Sequence, residues 1–135
     1  EIVLRENSSI EEIFGKNGEE YFRTVERNVL EEITQKDNVI VSTGGGLPCF
    51  FDNMTIINLS GQSIFLDVPV EDICERLIAS GNQNRPMTKG KTREEILSFL
   101  KGKYEERIPF YGQASITIRG NYIQAKDLLQ QLPNV

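Results

Sequence analysis

The stretch VIVSTGGGLP, residues 39–48, decides the fold, because a run of β-branched apolar residues stops there at three consecutive glycines. Residues 39–42 are too few and too β-branched for a helix, so they predict a buried strand that ends at the glycines. Glycine allows a ligand to approach the backbone closely and permits positive φ angles. A tight turn needs only one glycine, so three in a row favour a ligand contact, with a turn as the alternative.

Outward from the glycines, the sequence alternates between helical and strand patterns. Short β-branched runs predict two further strands at residues 63–68 and 115–119. Capping residues and helical spacing predict helices at residues 9–15, 17–33, 52–59, 69–78, 92–108 and 123–132. This alternation predicts one three-layer α/β domain over residues 1–135, with a parallel sheet.

Composition excludes several classes of function. The chain has 135 residues, a net charge of −5 and no histidine. The acidic charge argues against nucleic acid as a partner. The lack of histidine excludes catalysis by histidine and metal sites with histidine ligands. No apolar run reaches the ~20 residues of a membrane span, and no signal peptide opens the chain, so we expect a cytoplasmic protein without a membrane partner.

Arginines near the predicted strand ends are candidate ligand contacts. Arg23 and Glu26 lie three residues apart on one helix and share a face, although spacing alone favours a solvated ion pair. Arg107 precedes an apolar block at a helix end, where it also complements the helix dipole. Arg85 stands in a Gly- and Asn-rich segment, residues 81–92, which we predict to be a mobile lid. A lid arginine suits phosphoryl transfer, whereas most loop arginines are merely solvated.

Four motifs together resemble one family. SIEEIFGKNGEEYFRTVE, STGGG, NRPM and ERIPFY occur in the order and at the separations found in bacterial shikimate kinases. The resemblance covers essentially the whole chain. It implies the three-layer fold of P-loop NTPases of the nucleoside-monophosphate-kinase type. It also implies transfer of the ATP γ-phosphoryl group to the 3-hydroxyl of shikimate, with Mg²⁺, in the chorismate pathway to aromatic amino acids.

The resemblance also assigns residues to the substrate. Arg23 matches the arginine that grips the shikimate carboxylate, a task suited to a planar guanidinium. Glu26 matches the acidic residue that holds this arginine, and Arg107 matches the second carboxylate-binding arginine. The backbone of the three glycines is implied to lie against the shikimate ring, which concerns Gly44, Gly45 and Gly46.

A second set of residues is implied to contact ATP. Arg85 matches the catalytic lid arginine that reaches the phosphates. Arg76 matches an adenine-stacking position loosely, and Arg119, with the loop after it, aligns with a contact to the adenine edge. Ser42 aligns where a hydroxyl touches the water shell of Mg²⁺, and we predict no direct metal ligand in this chain.

Two motifs of the family do not occur. The chain contains no G-x-x-x-x-G-K-[ST] and no D-x-D of the kind that serves Mg²⁺ and the substrate hydroxyls. The resemblance places both before Glu1, so we expect the sequence to start after the first two strands of a sheet of order 2-3-1-4-5. Without the phosphate cradle the 135 residues are expected to be inactive alone. The full-length protein is expected to be a monomer.

Two alternatives remain open on the residues alone. One is another small-molecule kinase of this fold, such as a gluconate-type kinase. The other is a binding module that has lost catalysis. An intact or degraded phosphate-binding motif upstream would distinguish an enzyme from a binding module.

Overall fold

A computed structural model describes residues 1–80 and 90–132. The chain divides into two compact units, Glu1–Gly61 and Gln62–Val135. The prediction of a single domain is not tested by this division and stays a prediction.

The first unit is built around one long, broken helix. It contains helices α1 (Ile2–Glu6), α2 (Ile10–Ile33) and α3 (Asn53–Ser60), with a 3₁₀ turn at Leu47–Cys49. The Ser9 hydroxyl caps α2 by accepting from the Glu12 N–H, and the Glu12 carboxylate accepts from the Ser9 N–H, as the sequence predicts.

The break in α2 lies at Gly18, which has φ 81° and ψ 175°. Two helices were predicted here, and the break confirms them, but the predicted end at Gly15 is wrong. Gly15 stays helical, whereas Gly18 adopts a left-handed conformation that side chains rarely tolerate. The rings of Phe14 and Phe22, 4.6 Å apart, join the two halves across the break. The predicted apolar stripe is also confirmed, since Phe22, Val25 and Val29 are buried.

The strand predicted at residues 39–42 is wrong for this structure. These residues have no regular secondary structure, and Val39, Ile40 and Val41 are 47%, 104% and 45% exposed. A strand needs a neighbour for its N–H and C=O groups, and no described strand lies beside this segment. The predicted parallel sheet is therefore confirmed in its other two strands alone.

These two strands form the sheet of the second unit. Strand β1 (Ile64–Asp67) pairs in parallel with β2 (Ile116–Arg119), with Asp67 opposite Arg119. Ser63 and Ser115, which precede the strands, exchange bonds between backbone N–H and side-chain oxygen at 2.9 and 3.0 Å. The register of the pair is thus fixed at its first residues.

Three helices accompany this sheet: α4 (Val70–Ala79), α5 (Arg93–Tyr111) and α6 (Ala125–Gln131). The predicted cap at Thr92 is confirmed by bonds in both directions with Glu95. The expectation that α5 ends before Pro109 is wrong. A proline removes a single N–H donor, and the helical bonding resumes beyond it with Gly112 N–H donating to the Ile108 carbonyl at 2.8 Å.

Residues 81–89, most of the predicted lid, lie outside the described residues. None of the helices in the described ranges is long and apolar enough to cross a membrane.

Candidate functional site

The guanidinium of Arg23 is the centre of a polar cluster in the first unit. Its Nη1 donates to Glu26 Oε2 at 2.7 Å, and its Nε and Nη2 both donate to Glu19 Oε1 at 3.3 and 3.1 Å. The side chains of Arg23 and Glu26 are only 13% and 8% exposed, whereas Glu19 is 57% exposed. The solvated pair that spacing alone favoured is therefore wrong, because this pair is largely buried.

Aromatic rings line the same guanidinium. Its carbon lies 4.0 Å from the centroid of the Phe50 ring and 5.1 Å from that of Phe22. A cation over a ring face is attracted by the ring quadrupole. The contact with Phe50 fixes the plane of the Arg23 guanidinium, while Glu26 fixes one of its edges.

The triple glycine gives Arg23 the space it occupies. A Cβ at Gly46 would lie 2.7 Å from Arg23 Nη1 and 2.8 Å from Nη2, closer than a Cβ atom approaches other heavy atoms in real structures. At Gly44 the nearest atom would be Glu26 Oε1 at 3.8 Å, an ordinary contact. Gly46 thus leaves space for the Arg23 guanidinium, and the predicted ligand contact of the glycines stays a prediction.

The backbone angles of the glycines bear on the second expected use of these residues, a positive φ. Positive φ was expected as one use of these glycines, but the glycines with positive φ in the described ranges are Gly18, Gly90 and Gly120. Gly46 has φ −85°. Its carbonyl accepts from Cys49 N–H at 2.9 Å, so the segment turns directly into the 3₁₀ helix.

Asn53 ties this turn to α2. It is fully buried, and its Nδ2 donates to the Leu47 carbonyl at 2.8 Å while its Oδ1 accepts from Arg27 Nη1 at 2.8 Å. Arg27 also pairs with Asp52 and, at 2.7 Å, with Glu31. The hydrogen bond from Arg27 lowers the pKa of the Asp52 carboxyl. Arg23 and Arg27 lie four residues apart on α2 and share a face. Through Asn53, Arg27 connects this face to the turn that follows the glycines.

Other predicted site residues lie in the second unit. Arg107 is half-buried on α5, and among the described residues no carboxylate lies within ion-pair distance of it. Arg76 donates to the Asn121 carbonyl, and its guanidinium carbon lies 5.8 Å from the ring centroid of Tyr122, which is 85% exposed.

Arg119 lies at the carboxyl end of the sheet. Its Nε donates to Asp67 Oδ2 at 3.0 Å, and Asp67 Oδ1 accepts from the Tyr104 hydroxyl at 3.0 Å. Burial, followed by this hydrogen bond, raises the pKa of Tyr104. The Arg119 side chain is 82% exposed, whereas that of Asp67 is 16% exposed.

The described residues do not assemble a metal site. Within residues 1–80 and 90–132, no three acidic, cysteine or histidine side chains are grouped so that they could hold a metal ion. Ser42 offers one hydroxyl on an exposed segment. These residues do not fit a Mg²⁺ site by themselves, and the predicted contact of Ser42 through water stays a prediction.

Comparison with known proteins identifies the family. A shikimate kinase family profile matches residues 1–134. The chain belongs to the shikimate kinase family. A shikimate kinase from Parabacteroides distasonis is 45% identical over 113 residues, which are 84% of this chain and 65% of that protein. The chain thus spans slightly less than two thirds of the length of this relative.

Solved structures of shikimate kinases share the fold. The enzyme from Bacteroides thetaiotaomicron has a TM-score of 0.85 and 36% identity, covering 96% of this chain and 73% of that one. The enzyme from Acinetobacter baumannii, solved in complex with shikimate, has a TM-score of 0.77 and 33% identity. It covers 96% of this chain and 70% of that one. The α/β P-loop kinase fold implied by the resemblance is confirmed.

Membership in the shikimate kinase family supports an ATP-dependent kinase. The gluconate-type kinase and the non-catalytic binding module are not favoured. The roles predicted for individual residues are not tested by these comparisons, and Arg85 lies outside the described residues.

Several contact residues, in each of the two units taken separately, were missed by sequence reasoning. Glu19 lies four residues before Arg23 on a helix, a spacing that could have predicted the contact. Phe50, Asn53 and Asp67 carry no such signal, because their contacts join segments that are distant in sequence.

Proposed function

We propose that the intact protein is a shikimate kinase that transfers the γ-phosphoryl group of ATP to the 3-hydroxyl of shikimate. The observation that carries the proposal is the largely buried Arg23–Glu26 pair beside Gly46, in a chain of the shikimate kinase family. A guanidinium of fixed orientation is suited to a carboxylate, which it meets with two parallel hydrogen bonds.

In this proposal Arg23 binds the carboxylate of shikimate and Glu26 holds Arg23. Glu26 accepts from Nη1, which leaves the Nε and Nη2 edge toward the exposed Glu19. The backbone of Gly44, Gly45 and Gly46 is proposed to contact the substrate ring. Positioning of this kind supplies much of the catalysis in phosphoryl transfer.

The other roles are proposed one by one. Arg107 is proposed as a second carboxylate-binding arginine, Arg76 and Arg119 as adenine contacts, and Arg85 as the lid arginine that stabilises charge on the transferring phosphoryl group. Arg85→Ala is expected to lower kcat more than it raises the KM for shikimate. An unchanged kcat would remove Arg85 from the catalytic machinery.

Use of Mg²⁺ with ATP, a location in the cytoplasm and a monomeric state are further proposals, which rest on the family resemblance. No step of the reaction is assigned to Mg²⁺, since the described residues do not provide its site.

The decisive experiment supplies the intact protein with ATP and either shikimate, gluconate or the methyl ester of shikimate. Mass spectrometry should detect a singly phosphorylated product with shikimate and little product with gluconate or with the ester, which lacks the charge that Arg23 is proposed to bind. Equal turnover of gluconate would contradict the proposed substrate. Shikimate binding without any product would instead favour a binding module.

A further inference from the structure

We propose that Glu19 competes with the substrate carboxylate for Arg23 and thereby limits substrate affinity. This inference rests on the proposed function, because it takes Arg23 as the residue that binds the carboxylate. Glu19 is then a specificity-determining residue that must release the arginine before substrate binds.

The two carboxylates bind different edges of the Arg23 guanidinium. Glu26 accepts from Nη1 at 2.7 Å. Glu19 accepts through one oxygen, Oε1, from both Nε and Nη2 at 3.3 and 3.1 Å. The Nε and Nη2 edge is one of those with which a guanidinium binds a carboxylate bidentately. Glu19 therefore occupies a binding edge, through a longer and shared contact.

The exposure of the two carboxylates shows which one is replaceable. Glu26 is 8% exposed and Glu19 is 57% exposed. Separating a buried pair leaves an uncompensated charge, whereas an exposed pair is broken at little cost. An incoming carboxylate is thus expected to displace Glu19 and to leave Glu26 in place.

Arg23 does not need Glu19 for its orientation. Phe50 packs on the face of the guanidinium at 4.0 Å, and the centroid of the Phe22 ring lies 5.1 Å from the guanidinium carbon. Glu26 therefore restrains one edge of the guanidinium, and the two aromatic rings restrain its position. The distinctive effect of Glu19 is therefore to occupy the Nε and Nη2 edge and to repel a second negative charge.

The test compares Glu19→Gln with Glu20→Gln in the intact protein. Glu20 is also exposed, and within the described ranges its side chain makes no hydrogen bond. Because a surface ion pair contributes little, we expect Glu19→Gln to lower the Kd for shikimate about threefold to fivefold, measured by calorimetry. Glu20→Gln should change it by less than about 1.5-fold, since Glu20 does not contact Arg23.

Two further measurements separate the possible explanations. The methyl ester of shikimate should gain no affinity from Glu19→Gln, because it has no charge to compete. A Kd for shikimate that rises or stays unchanged in Glu19→Gln would overturn the inference, a rise meaning that Glu19 positions Arg23.

Arg23→Ala tests the proposed function separately. If Arg23→Ala leaves shikimate binding intact, the proposed function fails and the inference fails with it. If Arg23→Ala abolishes binding and Glu19→Gln changes nothing, the inference about Glu19 alone fails.

Discussion

Two arginine–carboxylate pairs, one in each unit, have similar bond lengths and different surroundings. Arg23 donates to Glu26 at 2.7 Å and Arg119 donates to Asp67 at 3.0 Å. The arginine side chains are 13% and 82% exposed. Arg23 contacts two carboxylates and two aromatic rings, whereas within the described ranges the Arg119 guanidinium contacts one carboxylate. Because water screens an exposed pair, we expect enclosure, more than distance, to determine what such a pair contributes to stability.

The largest expected effect is on ligand binding at the enclosed pair. Arg23→Ala should weaken shikimate binding by about 2–5 kcal/mol, which is about 30-fold or more, since a buried partner of a charged group is lost. The Kd for ATP should change little. Calorimetric titration of both ligands measures this, and equal losses for shikimate and ATP would contradict the assignment.

The next effect is on stability. Glu26→Gln removes one charge of the enclosed pair and should lower the free energy of unfolding of the intact protein by about 2–3 kcal/mol. Glu19→Gln, which removes a charge from the exposed side of the same arginine, should lower it by less than about 1 kcal/mol. Urea denaturation of the two variants provides the comparison, and similar losses would show that burial is not the deciding factor.

A third prediction concerns the space around Arg23. Gly46→Ala places a methyl group 2.7 Å from Nη1. Because the guanidinium ends a flexible side chain, we expect it to move, so that the shikimate Kd rises about tenfold while the fold is retained. Gly44→Ala, whose methyl group would have its nearest contact at 3.8 Å, serves as the matched control. Equal binding by both variants would show that Arg23 tolerates displacement.

The exposed pair of Arg119 and Asp67 should contribute less to stability than the enclosed pair. Arg119→Ala is expected to change the free energy of unfolding by no more than about 0.5 kcal/mol, as is usual for an exposed ion pair. Thermal unfolding of the variant measures this. A loss as large as that of Glu26→Gln would mean that the two pairs are equivalent after all.

The smallest effect is confined to high pH. Burial and the bond to Asp67 raise the pKa of Tyr104, so the folded state keeps this proton at a pH where the unfolded state, with a pKa near 10, has lost it. The stabilisation from Tyr104 is fully present below about pH 10 and is lost as the pH rises through the folded pKa.

Tyr104→Phe removes this titration. The free energy of unfolding of the variant should therefore fall less between about pH 9 and about pH 11 than that of the parent protein. Urea denaturation at both values gives the slopes. Parallel slopes would show that Tyr104 titrates alike in the folded and unfolded states.

The sequence predicted local features well and distant contacts poorly. The capping boxes at Ser9 and Thr92 and the apolar stripe of α2 depend on neighbours within a few residues, and all were correct. The strand at residues 39–42 was wrong because a strand depends on partners elsewhere in the chain. The end of α5 was misplaced because one proline does not break a helix whose other bonds persist.

At the site, too, local features were predictable and contacts between distant segments were not. The motif resemblance identified Arg23 and Glu26, and helical spacing placed them on one face. That the pair is buried, that Phe50 covers it and that Gly46 makes room for it could not be predicted, since these contacts join α2 to a turn more than twenty residues later.

The position of the Arg23 guanidinium beside Gly46 has a consequence for inhibitors and for resistance to them. A compound that carries a carboxylate onto Arg23 would rely on the group proposed to hold the natural substrate. Replacing Arg23 would discard substrate along with inhibitor, and any side chain at residue 46 would push the same guanidinium away. On the proposed role of Arg23, a mutation at residue 23 or 46 that weakens such an inhibitor is expected to weaken substrate binding as well.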